Sequence, residues 1–167
     1  MAGSQHGGHL GAVYDAGSLE ELAKSYDAWA GTYDAEMAAT GYRHPTIGLA
    51  LLARYLPRDA APLLDAGAGT GLLGEWLGTM GYPHVEALDI SEGMLAIAAK
   101  KNVYRALHRL ALGGPLPFAD GHFAGVVSVG VFTSGHFGVE GLDELIRICR
   151  RDGVIVVMLN PGPTLTE

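Results

Sequence analysis

The chain has 167 residues, 49% hydrophobic and 17% charged, with 25 glycines, one cysteine and a formal charge of −7. The length suits one soluble domain and the apolar content excludes a disordered chain, while the negative balance argues against nucleic acid as main partner. No stretch approaches the ~20 apolar residues of a membrane span, and Cys149 alone cannot form an internal disulfide or a multi-cysteine metal site.

Residues 1–17 are rich in Gly, Ser and His without an apolar period and read as a mobile or loosely docked leader. The opening MAGSQHGGHL has no apolar signal-peptide core, so a cytoplasmic protein is expected. His6 and His9 are separated by glycines and make no organised metal site. Ser18-Leu19-Glu20-Glu21 has capping-box spacing and opens a helix carrying Leu22, Ala23, Tyr26 and Trp29 on its apolar face. Tyr33, Met37 and Ala38 continue that face, and Pro45 opens a further helix through Leu52 and Tyr55 to Pro57.

From residue 58 short apolar runs alternate with helical stretches, the pattern of βαβ units around a parallel sheet, so the fold class is α/β. Strands are expected near Pro62–Ala66, Val85–Asp89, Arg105–Leu110, Gly125–Gly130 and Val154–Leu159, with helices near Leu72–Met80, Glu92–Lys100 and Val139–Arg150. Residues 18–167 therefore read as one domain, with a helical lid over 18–57 and an α/β core over 58–160.

The run Leu63-Leu64-Asp65-Ala66-Gly67-Ala68-Gly69-Thr70-Gly71 is a strand entering a glycine turn that opens a helix, where a ligand can lie against bare backbone. Asp89 ends the next strand, placed to accept hydrogen bonds from two ribose hydroxyls, which points to an adenosine-type cofactor. A nicotinamide fingerprint would want glycine at 67, 69 and 72, but position 72 is Leu; a triphosphate loop would want a lysine after the glycines, and none follows. Asp65 would repel a pyrophosphate and attract an ammonium group, which favours a ligand with a cationic amino-acid end.

The segments LLDAGAGTGLLGEWL, VEALDISEGMLAIAAKK, LPFADGHFAGVVSVGVF and LDELIRICRRDGVIVVML resemble the class I S-adenosylmethionine-dependent methyltransferases over roughly Tyr26–Leu159. SYDAWAGTYDAEMAATGYRHP and GVFTSGHFGVEGLDELIRI further resemble the small methyltransferase-like proteins related to the one encoded in the Williams–Beuren region. The resemblance implies a Rossmann-like fold and methyl transfer from S-adenosylmethionine, yielding S-adenosylhomocysteine, to a small-molecule acceptor. It implies that Gly67, Ala68, Gly69 and Gly71 form the cofactor turn, that Asp65 senses the amino group, and that Asp89 grips the ribose. Ile90 and Met94 would line the adenine, and Gly130 and Val131 would border the cofactor and the acceptor mouth. Tyr33 and Trp29, in the lid, would contact the cofactor, where aromatic faces stabilise a sulfonium by about 0.5–2 kcal/mol.

Two departures from the family pattern stand out. Where relatives carry Gly-Asp-Ala before the Leu-Pro-Phe turn, this chain has Ala111-Leu112-Gly113, leaving only the backbone of Leu112 and Gly113 for the adenine amino group. The usual Phe-Asp before the fourth strand is Phe123-Ala124. His136, after the fourth strand, is the candidate general base, since an unperturbed imidazole titrates near pH 6.5. His44, His84, His108 and His122 have no metal-ligand spacing.

The rival readings are a non-catalytic S-adenosyl ligand-binding or interaction domain and a nucleotide-dependent oxidoreductase. Relatives continue past the fifth strand, so an expectation follows of either a C-terminal segment beyond the sequence given or self-association through the exposed edge of that strand.

Overall fold

The computed structural model describes residues 8–133 and 140–160. Four helices, α1 (Gly8–Tyr14), α2 (Leu19–Trp29), α3 (Tyr33–Thr40) and α4 (His44–Tyr55), precede the sheet. The core then alternates β1 (Leu63–Ala66), α5 (Leu72–Thr79), β2 (Val85–Asp89), α6 (Glu92–Lys100), β3 (Ala106–Arg109), β4 (Phe123–Thr133), α7 (Glu140–Ile148) and β5 (Cys149–Asn160). All strand pairs are parallel, in the order β3-β2-β1-β4-β5. This is the expected α/β fold, with β3 and β5 at the edges. The order reverses at β1, next to β4, and in open parallel sheets that reversal leaves a crevice at the carboxyl ends of the strands.

Strand alternation sends successive residues to opposite faces. Leu63, Val85 and Val127 join Leu49, Leu52, Leu73 and Leu77 of α4 and α5 in one core cluster. Leu64, Leu88 and Val126 join Leu145 and Ile148 of α7 in another. The fully enclosed strands β1 and β2 are buried at every position, which is why they read as unbroken apolar runs.

Helix ends follow the sequence signals. Ser18 Oγ accepts the Glu21 N–H at 3.2 Å, while Glu21 reaches back to the Gly17 N–H at 2.8 Å. Ser91 Oγ caps α6 through the Met94 N–H at 3.0 Å.

Three differences from the sequence expectations have physical causes. Part of the stretch read as a loose leader is helix α1, whose Val13 is buried against Leu22, Trp29 and Met94; a helix of 7 residues is too short to display a period, and tertiary packing holds it. Strand β5 starts at Cys149 because Cys149 pairs with Phe123; pairing resumes at Val154 with Gly125 after a register shift, and the intervening Arg150-Arg151-Asp152 are exposed and polar. Strand β4 runs on past Gly130, with a second register shift between Val129 and Phe132. Among the described residues no helix is long and apolar enough to cross a membrane.

Candidate active site

The β1–α5 turn is built from backbone that only glycine tolerates without strain: Gly67, Gly69 and Gly71 have φ of 80°, 55° and 86°. A Cβ on Gly67 would run into the Val131 side chain, so the second β4 irregularity, where Gly130 has φ 77°, brings Val131 directly over the turn. At Gly69 a Cβ would meet nothing within 4 Å, so this part of the turn faces open space. The Gly67 and Ala68 N–H groups donate to the Leu88 carbonyl at 2.7 and 3.0 Å, and the Ser128 hydroxyl donates to the Ala66 carbonyl at 2.8 Å, locking the turn onto its neighbouring strands.

Two carboxylates sit beneath it. Asp89 Oδ2 accepts the Gly69 N–H at 2.8 Å and Oδ1 accepts the Ser91 N–H at 2.9 Å, so one side chain organises both the glycine turn and the start of α6. Burial pushes its carboxyl above the usual range in spite of those donors. Asp65 is 2% exposed; burial first, with the Asp89 charge adding, pushes it up to about 7 against the lowering effect of the Tyr104 hydroxyl. Among the described residues neither carboxylate has a cation in ion-pairing range.

A cleft lies over this floor. One wall is apolar, made by Ile90, Met94, Leu110 and Leu112, and Val129, Gly130 and Val131 form the far rim. Helices α1 to α3 supply a roof of Val13, Leu22, Tyr26 and Tyr33. A smaller lobe continues past the turn, bordered by Tyr33, Tyr42, Pro45, Asp65, Ala68 and Thr70. Burial raises the Tyr26 and Tyr33 phenols and pushes Tyr42 up to about 12, so all three stay neutral donors near neutral pH.

Tyr33, Asp65, Gly67, Ala68, Gly69, Asp89, Ile90, Met94, Leu112, Gly130 and Val131, all expected from the sequence, border the cleft or its lobe. Trp29 stands behind it: 3% exposed, it supports Tyr33 edge-on at 4.8 Å and donates its indole N–H to Glu36 at 2.8 Å. Gly71 likewise faces away from the cleft, its missing Cβ leaving room for the Tyr104 ring. Gly113, with φ 93°, follows Leu112 but is not among the lining residues. His136 lies outside the described residues.

The sequence reading missed Val13, Leu22, Leu110 and Val129 as walls, favoured Trp29 over Tyr26 among the lid aromatics, and missed Tyr104 as the partner of Asp65 and two latches of the roof. Asp27 Oδ1 accepts from Ser91 Oγ at 2.6 Å and from the Gly93 N–H at 2.8 Å, tying α2 to the start of α6. Asp34 accepts from the Thr70 hydroxyl and pairs with Lys101 at 2.9 Å, tying α3 to the turn before α5. A signal for both was present: Tyr26-Asp27 and Tyr33-Asp34 repeat one dipeptide, and each puts its tyrosine in the cleft and its aspartate at a helix start.

Residues 64–157, more than half of the chain, match the family described as Methyltransferase domain. The chain belongs to that family. It is 34% identical over 139 residues to human (Homo sapiens) Methyltransferase-like protein 27, covering 80% of this chain and 57% of that protein. A dTDP-3-amino-3,6-dideoxy-alpha-D-glucopyranose N,N-dimethyltransferase of Streptomyces fradiae is 34% identical over 127 residues, 70% of this chain and 46% of that one. An 18S rRNA (guanine-N(7))-methyltransferase of Arabidopsis thaliana is 41% identical over 76 residues, 44% of this chain and 26% of that one. The chain thus spans about half the length, or less, of these curated relatives. A TehB-like methyltransferase of Corynebacterium glutamicum shares the fold, with a TM-score of 0.65 at 23% identity over 83% of this chain and 75% of that one.

The cofactor that family and fold imply is S-adenosylmethionine. The residues present fit it: a pair of buried carboxylates with no cation beside them among the described residues suits a cationic ligand, the open glycine turn admits a chain against the backbone, and the apolar wall suits a flat base.

Proposed function

We propose that this domain transfers a methyl group from S-adenosylmethionine to a small-molecule acceptor. The observation that carries the reading is the pair Asp65 and Asp89, buried under the glycine turn with no cation in ion-pairing range among the described residues. Bound S-adenosylmethionine supplies an electrophilic methyl group on a positively charged sulfur. In this reading Asp89 takes the ribose hydroxyls, Asp65 the ammonium group, and Ile90, Met94 and Leu112 the adenine. Tyr26 and Tyr33 press the ligand onto the turn and exclude water. Residues 18–57 act as the lid, held by the Asp27 and Asp34 latches, and Gly130 and Val131 leave the mouth through which an acceptor approaches.

Methyl transfer is an in-line displacement, and alignment alone supplies roughly 7–11 kcal/mol in well-organised cases, so no base is obligatory. His136 is our candidate where the acceptor must lose a proton. A small acceptor, in place of nucleic acid, is supported by the charge of −7 and by the roofed cleft. The aminosugar-nucleotide relative supports it too, while the rRNA relative makes RNA the acceptor class to test against. Kinship with the Williams–Beuren-related subgroup is supported by the lid sequence and by the match to Methyltransferase-like protein 27.

A second reading, a binder without turnover, is favoured by one observation: no carboxylate stands at 111–113 to receive the adenine amino group. The deciding experiment incubates the protein with S-adenosylmethionine bearing a deuterated methyl group and a panel of amines, thiols, aminosugar nucleotides and RNA, read by mass spectrometry. A labelled small molecule together with S-adenosylhomocysteine is expected. Cofactor binding without label transfer to any acceptor supports the binder, and label on RNA alone overturns the small-molecule assignment.

A further inference from the structure

Tyr104 lies in the connection from α6 to β3 and does not itself line the cleft, yet its hydroxyl donates to Asp65 Oδ2 at 2.7 Å. Two glycines make room for it. A Cβ on Gly74, inside α5, would collide with the Tyr104 ring and hydroxyl, and one on Gly71 would lie 3.0 Å from the ring. Glycine inside a helix is destabilising by roughly 0.5–1 kcal/mol relative to alanine, so the sequence accepts a weaker α5 in return for a phenol behind Asp65. Gly71, which reads as a cofactor glycine in the sequence, serves this ring in the structure.

We infer that Tyr104 is a positioning residue: its phenol holds the Asp65 carboxylate in the orientation that receives the ammonium group at the amino-acid end of the ligand. The inference rests on the proposed function. A carboxylate has about four acceptor sites, so one phenol leaves capacity toward the lobe that Asp65 borders with Tyr33 and Tyr42. The other groups acting on Asp65 are Asp89 from β2 and Tyr42 ahead of α4, neither a cation, and the Thr70 hydroxyl is engaged by Asp34. Tyr104 is therefore the donor that favours the charged carboxylate before any ligand arrives. Its own phenol is held far above the usual range, first by burial and then by Asp65, so it stays a donor throughout.

The test is calorimetric titration of wild type and Tyr104→Phe with S-adenosylhomocysteine and with 5′-methylthioadenosine, which lacks the amino-acid end, from pH 6 to 8. Wild-type affinity for S-adenosylhomocysteine should rise with pH as Asp65 ionises. In Tyr104→Phe it should fall roughly 3- to 10-fold at pH 7, with the rise displaced to higher pH, while methylthioadenosine binds as before. Equal affinity and an unshifted profile would overturn the inference, as would an equal loss for both ligands, which marks a ring that only packs. Absence of S-adenosylhomocysteine binding by the wild type would instead sink the proposed function. If Tyr104→Phe does not fold, Tyr104→Leu, which also removes the donor and keeps an apolar side chain, is read by the same criteria.

Discussion

In the floor of the cleft Asp89 accepts from the backbone N–H groups of Gly69 and Ser91 and Asp65 from the Tyr104 phenol, all within the α/β core, whereas in the roof Asp27 and Asp34, carried on α2 and α3, accept from the starts of α6 and α5. Asp89 and Asp65 belong to the floor, and burial raises both. Asp27 belongs to the roof; its hydrogen bond from Ser91, then the Gly93 N–H, hold its carboxyl below the usual range. The two regions should therefore answer pH in opposite senses. A carboxyl raised in the folded state gives stability at low pH that is lost as pH climbs toward its folded value, and a depressed one gives stability that is lost as pH falls. Acid should loosen the roof and relieve the floor.

The largest effect is expected at Gly67. Replacing it with alanine forces a side chain into left-handed backbone and against Val131, and should cost about 2–5 kcal/mol in denaturant unfolding and remove ligand binding. Asp89→Ala should weaken S-adenosylhomocysteine binding by ~1.5–3 kcal/mol in calorimetry, and because the Gly69 and Ser91 N–H groups lose their acceptor it should also lower stability. For Asp65, the unfolded carboxyl titrates near 3.9 and the folded one at about 7, so ligand-free wild type should lose on the order of 2 kcal/mol between pH 5 and 7 relative to Asp65→Asn. A flat difference across that window, measured by thermal unfolding, would show that Asp65 is already ionised in the floor. The smallest effect belongs to the roof: Asp27→Ala should cost ~0.5–1 kcal/mol and speed proteolysis within α1 to α3, with no change in floor stability. Equal protection of the lid in both proteins would mean that Asp27 is not a latch.

The floor was legible because its constraints are local. A strand running into three glycines, with an acid ending the next strand, is contiguous in sequence, and positive φ demands glycine whatever surrounds it. Even there Gly71 was misplaced, since the Tyr104 ring that it accommodates lies more than thirty residues away and leaves no mark near the turn. The roof was legible as helices through the Ser18 cap and its apolar face, but which aromatic enters the cleft depends on how α2 and α3 pack. Trp29 and Tyr26 share one face of α2; packing turned the tyrosine into the cleft and buried the indole behind it. Helix α1 escaped notice because two apolar residues one turn apart, Leu10 and Val13, carry no periodicity. The ends of β4 and β5 depend on pairing across register shifts, which alternation within either strand does not encode.

We propose that the socket under the glycine turn accepts an S-adenosyl ligand through Asp65 and Asp89. Calorimetric titration of the wild-type chain with S-adenosylhomocysteine and, separately, with NAD tests it most directly. Saturable one-to-one binding of S-adenosylhomocysteine, weakened in Asp89→Ala, is expected, with no heat of binding for NAD. Binding of NAD with no response to S-adenosylhomocysteine would contradict it.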